Sequence, residues 1–231
     1  MTAFEDERNR LRERVWSLLD VKKGTRYLDV GIGHTAYSLN RLLELGLDVT
    51  SIDIDLEVLY KHKENKAHFV QCNAATLPFR ENTFNLSLAY FTFHEIAPIL
   101  HTTVVSELHR ISNKIMIVEP AIGKDPIYQR YQNIWTEAMH SIDQYEDYQA
   151  IDYWADLLQE QDARIVTSEA LSHTAPLCGQ EGKEYMRKAI EDMRDEGVSE
   201  EYISRMHTLS EDIAKIGMLF SDINIIVGHV R

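Results

Sequence analysis

A short β-prone run, Thr25 to Val30, ends in Gly31-Ile32-Gly33, and Ala36, Leu39, Leu42, Leu43 and Leu45 then repeat at helical spacing until Gly46 stops them. No other stretch of the chain restricts the fold as much. Strand, glycine turn and helix in that order open a βαβ unit, and glycines at such a turn let the backbone approach a ligand closely. The rhythm continues downstream. Val49 to Ile54 reads as a second strand, Leu56 to Lys66 as a second helix and His68 to Gln71 as a third strand. Phe84 to Phe93 is nearly continuous in apolar and aromatic residues, as a strand covered on both faces requires. A helix over about Ile99 to Ile111 and a fifth strand over Lys114 to Val118 follow. This alternation predicts a parallel sheet between helices, with ligands bound beyond the carboxyl ends of the strands.

Outside that region the pattern is different. Phe4, Leu11, Val15, Leu18 and Leu19 mark an amphipathic first helix over residues 3–19. Past Pro120, the segments Pro126 to Ile142 and Ala150 to Gln161 both read as helices rich in Tyr and Trp, set end to end like a lid. Arg164 to Leu171 resembles a sixth strand, and Lys183 to Ile216 reads as two charged helices broken at Gly197. Ile223 to Val230 is a terminal strand that can pair with the sixth at the sheet edge.

At 231 residues, with 44% hydrophobic and 26% charged residues, the chain has the composition of a folded globular protein. The 24 Lys and Arg against 37 Asp and Glu leave a formal charge of -13, which repels the phosphates of nucleic acid and of anionic membranes. Neither is expected as a partner. Cys72 and Cys178 are too few and too far apart for a disulfide framework or a zinc motif, and the charged stretch Met1 to Arg14 lacks an apolar signal core. A cytoplasmic protein is expected.

Leu28-Asp29-Val30-Gly31-Ile32-Gly33-His34-Thr35-Ala36 lies at the first strand-to-helix turn. Gly31, Gly33 and Ala36 satisfy the dinucleotide fingerprint with a relaxed third position, and Asp53 lies at a ribose-binding distance in sequence. Asp29 separates the two cofactor readings, because a carboxylate beside a pyrophosphate is unfavourable whereas an amine-bearing ligand welcomes it. Here the sequence resembles the class I S-adenosylmethionine-dependent methyltransferases over about residues 24–120. Their first motif is an acidic residue followed by alternating glycines.

The resemblance implies an α/β, Rossmann-like fold with a mainly parallel seven-stranded sheet, helices on both faces and helical insertions. It would span 1–231 as one domain, with a core of about 20–120 and 162–231 and a helical lid or insertion of about 121–161 and 180–217. It also implies roles for named residues. Asp29, Gly31 and Gly33 would hold the methionine portion of S-adenosyl-L-methionine, Asp53 the ribose hydroxyls, and Ile54 would pack on the adenine. Asn73 and Ala74, in the segment running through Leu77-Pro78-Phe79, would recognise the adenine, with Phe91 at the end of strand four facing the cofactor. Thr35 stands where many members carry a third glycine, and Asn73 replaces the usual Asp while keeping a carbonyl acceptor. The competing structural roles are a helix N-cap for Asp53 and a satisfied strand-end carboxylate for Asp29.

For catalysis, His94 could serve as general base for a hydroxyl acceptor and Glu95 could orient a cationic substrate or cap the next helix. Hydrogen bonding beneath the site is the competing role for His94. Tyr128, Tyr131, Trp135, Tyr145, Tyr148, Tyr153 and Trp154, interleaved with Asp143, Glu146, Asp147 and Asp152, suit either an amine acceptor or a helical core. No metal is expected, because His101 and His109 share one helix without acidic ligands in register. The expected reaction is methyl transfer to a small-molecule acceptor, by a protein for which homo-oligomerisation stays open. The rivals are a nicotinamide-dependent oxidoreductase and a non-catalytic S-adenosylmethionine-binding protein on the same fold.

Overall fold

Strand β1, Arg26–Val30, is buried along four of its five residues, because strands pair with it on both sides. The computed structural model describes residues 2–22 and 24–230. Six further strands follow: β2 (Asp48–Asp53), β3 (His68–Gln71), β4 (Leu86–Tyr90), β5 (Lys114–Pro120), β6 (Arg164–Leu171) and β7 (Ile223–His229). They form one sheet in the order β3-β2-β1-β4-β5-β7-β6. The β2–β3, β1–β2, β1–β4 and β4–β5 pairings are all parallel, so the carboxyl ends of five strands lie along one edge. The expected pairing of the two last strands is also present, with β6 outermost and alternately exposed.

The helices are α1 (Ala3–Trp16), α2 (Tyr37–Glu44), α3 (Leu56–Lys61), α4 (His101–Ile111), α5 (Pro126–His140), α6 (Ile151–Glu160), α7 (Gly179–Asp195) and α8 (Glu200–Ile216). The chain divides into two compact units. The sheet unit comprises Leu18–Glu119, Ala150–Glu169 and Asn224–Arg231, and the helical unit comprises Met1–Ser17, Pro120–Gln149 and Ala170–Ile223.

In the sheet unit, period-2 alternation sends Leu28 and Val30 of β1 to one face and Asp29 to the other. The first face packs Ile52, Ile115 and Ile117 against Val104, Val105, Leu108 and Ile111 of α4 and Trp154, Leu157 and Leu158 of α6. The insertion expected over 121–161 is therefore divided, because the apolar stripe of α6 belongs to this core. His101, fully buried at the start of α4, reaches the carbonyl oxygens of Phe93 (3.0 Å) and Ile96 (2.9 Å) through Nε2 and the Tyr153 hydroxyl (2.9 Å) through Nδ1. That is a structural histidine joining α4, α6 and the segment after β4.

The predicted strand over 84–93 is shorter in the structure. Phe91 adopts a left-handed φ of 54°, which ends β4 at Tyr90 and turns Phe93–Glu95 into a single 3-10 turn. The predicted second helix, 56–66, stops at Lys61, and the first, 3–19, stops at Trp16.

The helical unit has its own core, in which Tyr128, Tyr131 and Ile134 of α5 pack with Met186, Ile190 and Met193 of α7 and Ile203, Met206, Leu209 and Ile213 of α8. The core reading of the aromatic segment thus holds for Tyr128 and Tyr131, and for Trp154 in the sheet unit. Glu7 of α1 is buried and accepts hydrogen bonds from the backbone N–H groups of Thr174 and Ala175, each at 2.8 Å, and from the Thr174 hydroxyl. Burial alone would raise its pKa, but these hydrogen bonds outweigh burial and hold the carboxyl below its ordinary range.

Candidate functional site

The expected cofactor residues lie at or just beyond the carboxyl ends of β1 to β4 and belong to the sheet unit. Gly31 has φ +68°, and a Cβ there would lie 2.4 Å from Thr92 Cγ2, so both conformation and space demand glycine. Its N–H donates to the Ile52 carbonyl at 2.9 Å, carrying the β1–β2 ladder one residue past the strand. Gly33 differs, since it has φ +58° and open space where a Cβ would project.

Asp29 is fully buried. Its Oδ2 accepts from the Ser51 hydroxyl at 3.4 Å, and Ser38 of α2 also hydrogen-bonds the carboxyl, while Oδ1 has no partner. Burial pushes its pKa up to about 7, the two serines pull it down, and the Asp53 charge adds a smaller upward push. The satisfied strand-end carboxylate is therefore not what the structure contains. A buried carboxylate with an unused lone pair is suited to a cation.

Asp53 accepts from the Gly33 N–H at Oδ2 (3.2 Å) and from the Asp55 N–H at Oδ1 (3.0 Å). The N-cap of α3 is Asp55, whose carboxylate accepts from the Glu57 N–H at 2.8 Å, so Asp53 is not the cap. Ile54 beside it is 67% exposed, an apolar side chain available to cover a flat ring. Asn73 Oδ1 accepts from the Ala75 N–H at 2.8 Å, an Asx turn that leaves one carbonyl lone pair. Ala74 is partly buried within this turn. Downstream, Arg110 of α4 donates to the carbonyls of Phe79 (2.7 Å) and Leu77 (3.0 Å), and Glu107 accepts from the Leu77 N–H (2.8 Å). The segment after β3 is thereby held to the sheet unit.

The turn after β4 is held from beneath by a residue that the sequence reading did not single out. Glu119, fully buried at the end of β5, accepts at Oε1 from the N–H groups of Thr92 and Phe93, each at 2.7 Å. At Oε2 it accepts from the His94 N–H (3.4 Å) and lies 2.6 Å from His94 Nδ1. The Thr92 hydroxyl donates to the Val30 carbonyl at 2.8 Å, tying the same turn to β1. Phe91, strained in the left-handed region, is fixed by its N–H to Val118 (2.8 Å) and by stacking on Tyr90 with ring centroids 4.8 Å apart. The available signal was an acidic residue closing the buried run Ile115 to Val118, where a charge needs a reason. Glu95 has an exposed side chain 3.9 Å from His94 Nε2. It does not cap α4, whose N-cap position is Leu100.

These residues fit S-adenosyl-L-methionine better than a dinucleotide. An ammonium group would satisfy Asp29 Oδ1, whereas a pyrophosphate would face a second negative charge across a low dielectric.

Residues 28–114 match the family model described as a methyltransferase domain. None of the curated proteins compared matches the sequence. Among solved structures, a Bacillus halodurans protein assigned as a methyltransferase aligns over 94% of this chain and 97% of its own, with a TM-score of 0.66 and 15% identity. A protein from Anabaena variabilis, assigned as a methyltransferase of an antibiotic biosynthesis pathway, aligns over 95% of this chain and 96% of its own (TM-score 0.68, 17% identity). A third similar structure is a complex of the Haloferax volcanii Trm112 methyltransferase activator with a protein assigned as a methyltransferase. It covers 98% of this chain and 92% of its own, with a TM-score of 0.61 and 15% identity. The sequence match thus places a methyltransferase domain over residues 28–114, and the solved structures share the fold of nearly the whole chain.

Proposed function

We propose that the protein moves the methyl group of S-adenosyl-L-methionine to a small molecule. The observation that carries this reading is Asp29, buried, with Oδ1 unpartnered beneath the glycine turn. In this reading Asp29, Gly31 and Gly33 hold the methionine portion, and Asp53 takes the ribose hydroxyls through lone pairs beyond those used by Gly33 and Asp55. Ile54 and Phe91 cover the cofactor with apolar surface, and Asn73 with Ala74 contacts the adenine. When bound, the cofactor supplies an activated methyl group, and alignment alone contributes effective molarities of roughly 10⁵–10⁸ M.

His94 removes the acceptor's proton where the nucleophile carries one, and Glu95 helps orient the acceptor. The formal charge of -13 favours a small molecule over nucleic acid. The antibiotic biosynthesis setting of the similar Anabaena protein points the same way. Among the described residues no helix is long and apolar enough to cross a membrane, and both cysteines are free thiols, in keeping with a cytoplasmic reaction.

Calorimetric titration with S-adenosylmethionine, S-adenosylhomocysteine and NAD tests the reading. Micromolar binding of the first two and none of NAD is expected. NAD binding alone would overturn the methyltransferase reading, and cofactor binding without turnover on any acceptor would make the protein a non-catalytic binder.

A further inference from the structure

Asp29 has partners on one side of its carboxyl only. In the sheet it pairs with Ser51 of β2 and Leu88 of β4, both fully buried. The hydroxyls of Ser51 and of buried Ser38 in α2 hydrogen-bond the group, and Oδ1 is left without a donor. The charge that acts on it is Asp53 at the end of β2, and that charge is of like sign. An ionised oxygen there is desolvated and repelled, whereas a protonated carboxyl carries no charge to desolvate or repel. A ligand ammonium against Oδ1 reverses that preference.

Resting on the methyltransferase reading, we propose that Asp29 makes cofactor binding a proton exchange: it holds a proton in the ligand-free protein and gives it up when the α-ammonium of the cofactor meets Oδ1. The Asp29 O–H bond breaks, its electron pair stays on the oxygen and the proton passes to solvent, while the ammonium keeps its own protons. A neutral acid and a cation thus become an ion pair and one released proton. S-adenosylhomocysteine, which carries the same ammonium, drives the same exchange.

Affinity is then set by pH, and it rises with pH because the ionised form is the one that binds. Burial raises the Asp29 pKa to about 7, so the ionised fraction climbs from about 0.1 at pH 6 to about 0.9 at pH 8, and Kd falls about tenfold over that range. The protons released per ligand run the opposite way, with about 0.9 at pH 6, about 0.5 at pH 7 and about 0.1 at pH 8. Histidines as a class also titrate in this range, and His34, exposed in the same glycine turn, is the one to separate from Asp29.

Titration calorimetry with S-adenosylhomocysteine at pH 6, 7 and 8, repeated in buffers of different ionisation enthalpy, reads the proton count and Kd together. Wild-type protein should follow the values above. With 5′-methylthioadenosine, the same nucleoside thioether without the amino acid, no proton should be released at any of these pH values. Asp29→Asn should bind S-adenosylhomocysteine more weakly, with a Kd independent of pH and no release, and His34→Gln should behave as wild type. ¹³C NMR of the aspartate carboxyls gives a second reading on wild-type protein alone. One carboxyl should titrate near pH 7 without ligand and stay ionised from pH 6 to 8 with S-adenosylhomocysteine bound.

No release by wild-type protein at pH 6, equal release with 5′-methylthioadenosine, or full release by Asp29→Asn would each overturn the proposal. So would loss of release in His34→Gln, or the absence of an aspartate that titrates near pH 7. If wild-type protein fails to bind S-adenosylhomocysteine, the methyltransferase reading itself falls. Binding without proton release removes only the exchange.

Discussion

Replacing Asp29 with Asn should make the protein more stable and a poorer binder of its cofactor, and the pH dependence of the first effect follows from the structure. Burial raises the Asp29 pKa from 3.8 to about 7 in the folded state. At roughly 1.4 kcal/mol per pH unit, keeping this group ionised costs on the order of 4 kcal/mol. The sign is that of a raised carboxyl pKa. The folded state holds the proton more tightly, so its stability contribution is complete below about pH 4 and is lost as pH rises through about 7. Between pH 5 and pH 8 the loss amounts to roughly 2–3 kcal/mol.

Asn at this position keeps partners for Ser38 and Ser51 and does not titrate. Urea unfolding of wild type and Asp29→Asn at both pH values should therefore show a gap that widens by that amount in favour of the variant at pH 8. In Tm the widening is about 5–10 °C for a chain of this size. Cofactor affinity should move the other way, falling by about 1.5–3 kcal/mol through loss of a charged hydrogen bond. A stability gap that stays constant from pH 5 to pH 8 would refute the assignment of Asp29 as a strained, buried acid awaiting a cation.

Other residues give sharper single answers. Asp53→Ala should weaken S-adenosylhomocysteine binding by about 1.5–3 kcal/mol, and an unchanged calorimetric Kd would remove Asp53 from the ribose. Gly31→Ala meets Thr92 Cγ2 at 2.4 Å with φ +68°, so it should lose about 1–3 kcal/mol of stability; the test is its denaturant midpoint, and a wild-type value refutes the close approach. Trp154→Ala empties the contact of α6 with Phe93 and His101 and should cost about 3–5 kcal/mol, read by thermal unfolding. Glu7→Ala leaves the N–H groups of Thr174 and Ala175 without their acceptor and should cost about 1–3 kcal/mol at pH 7. Because the Glu7 pKa is depressed, that advantage of the wild type belongs to pH values above the ordinary carboxylate range and should shrink in acid.

The strands and glycine turn of the sheet unit were legible because their signals are local. A β-prone run, two glycines and a helical repeat need no distant partner to be recognised, and Gly31 and Gly33 stand where the pattern put them. Asp29 and Asp53 were legible as a pair through their spacing along two strands. Their surroundings were not, since Ser38 and Ser51 reach Asp29 from α2 and β2.

Glu119 escaped for the same reason. Its importance lies in three backbone donors and the His94 ring from residues 92–94, about 25 positions away, and a single acid near a proline gives no periodic signal. The end of β4 escaped because Phe91 takes a backbone conformation that its residue type disfavours. Tertiary contacts impose it, and propensity cannot announce it. Helix α6 was recognised as a helix, but its apolar stripe does not say which core it joins.

The grip of Glu7 on Thr174 and Ala175 also bears on how the chain becomes a protein. Helix α1 must wait for residues 167 positions further on before the acceptor role of its buried carboxylate is filled. Until α7 and α8 are made, Phe4 lacks the core that buries it, and α1 is too short to persist alone in water. The sheet unit can begin to assemble from β1 to β5 during synthesis, whereas the helical unit needs α1 to join segments made much later. A restraint on α1 therefore acts on a long-range contact of the helical unit, far in sequence from the glycine turn.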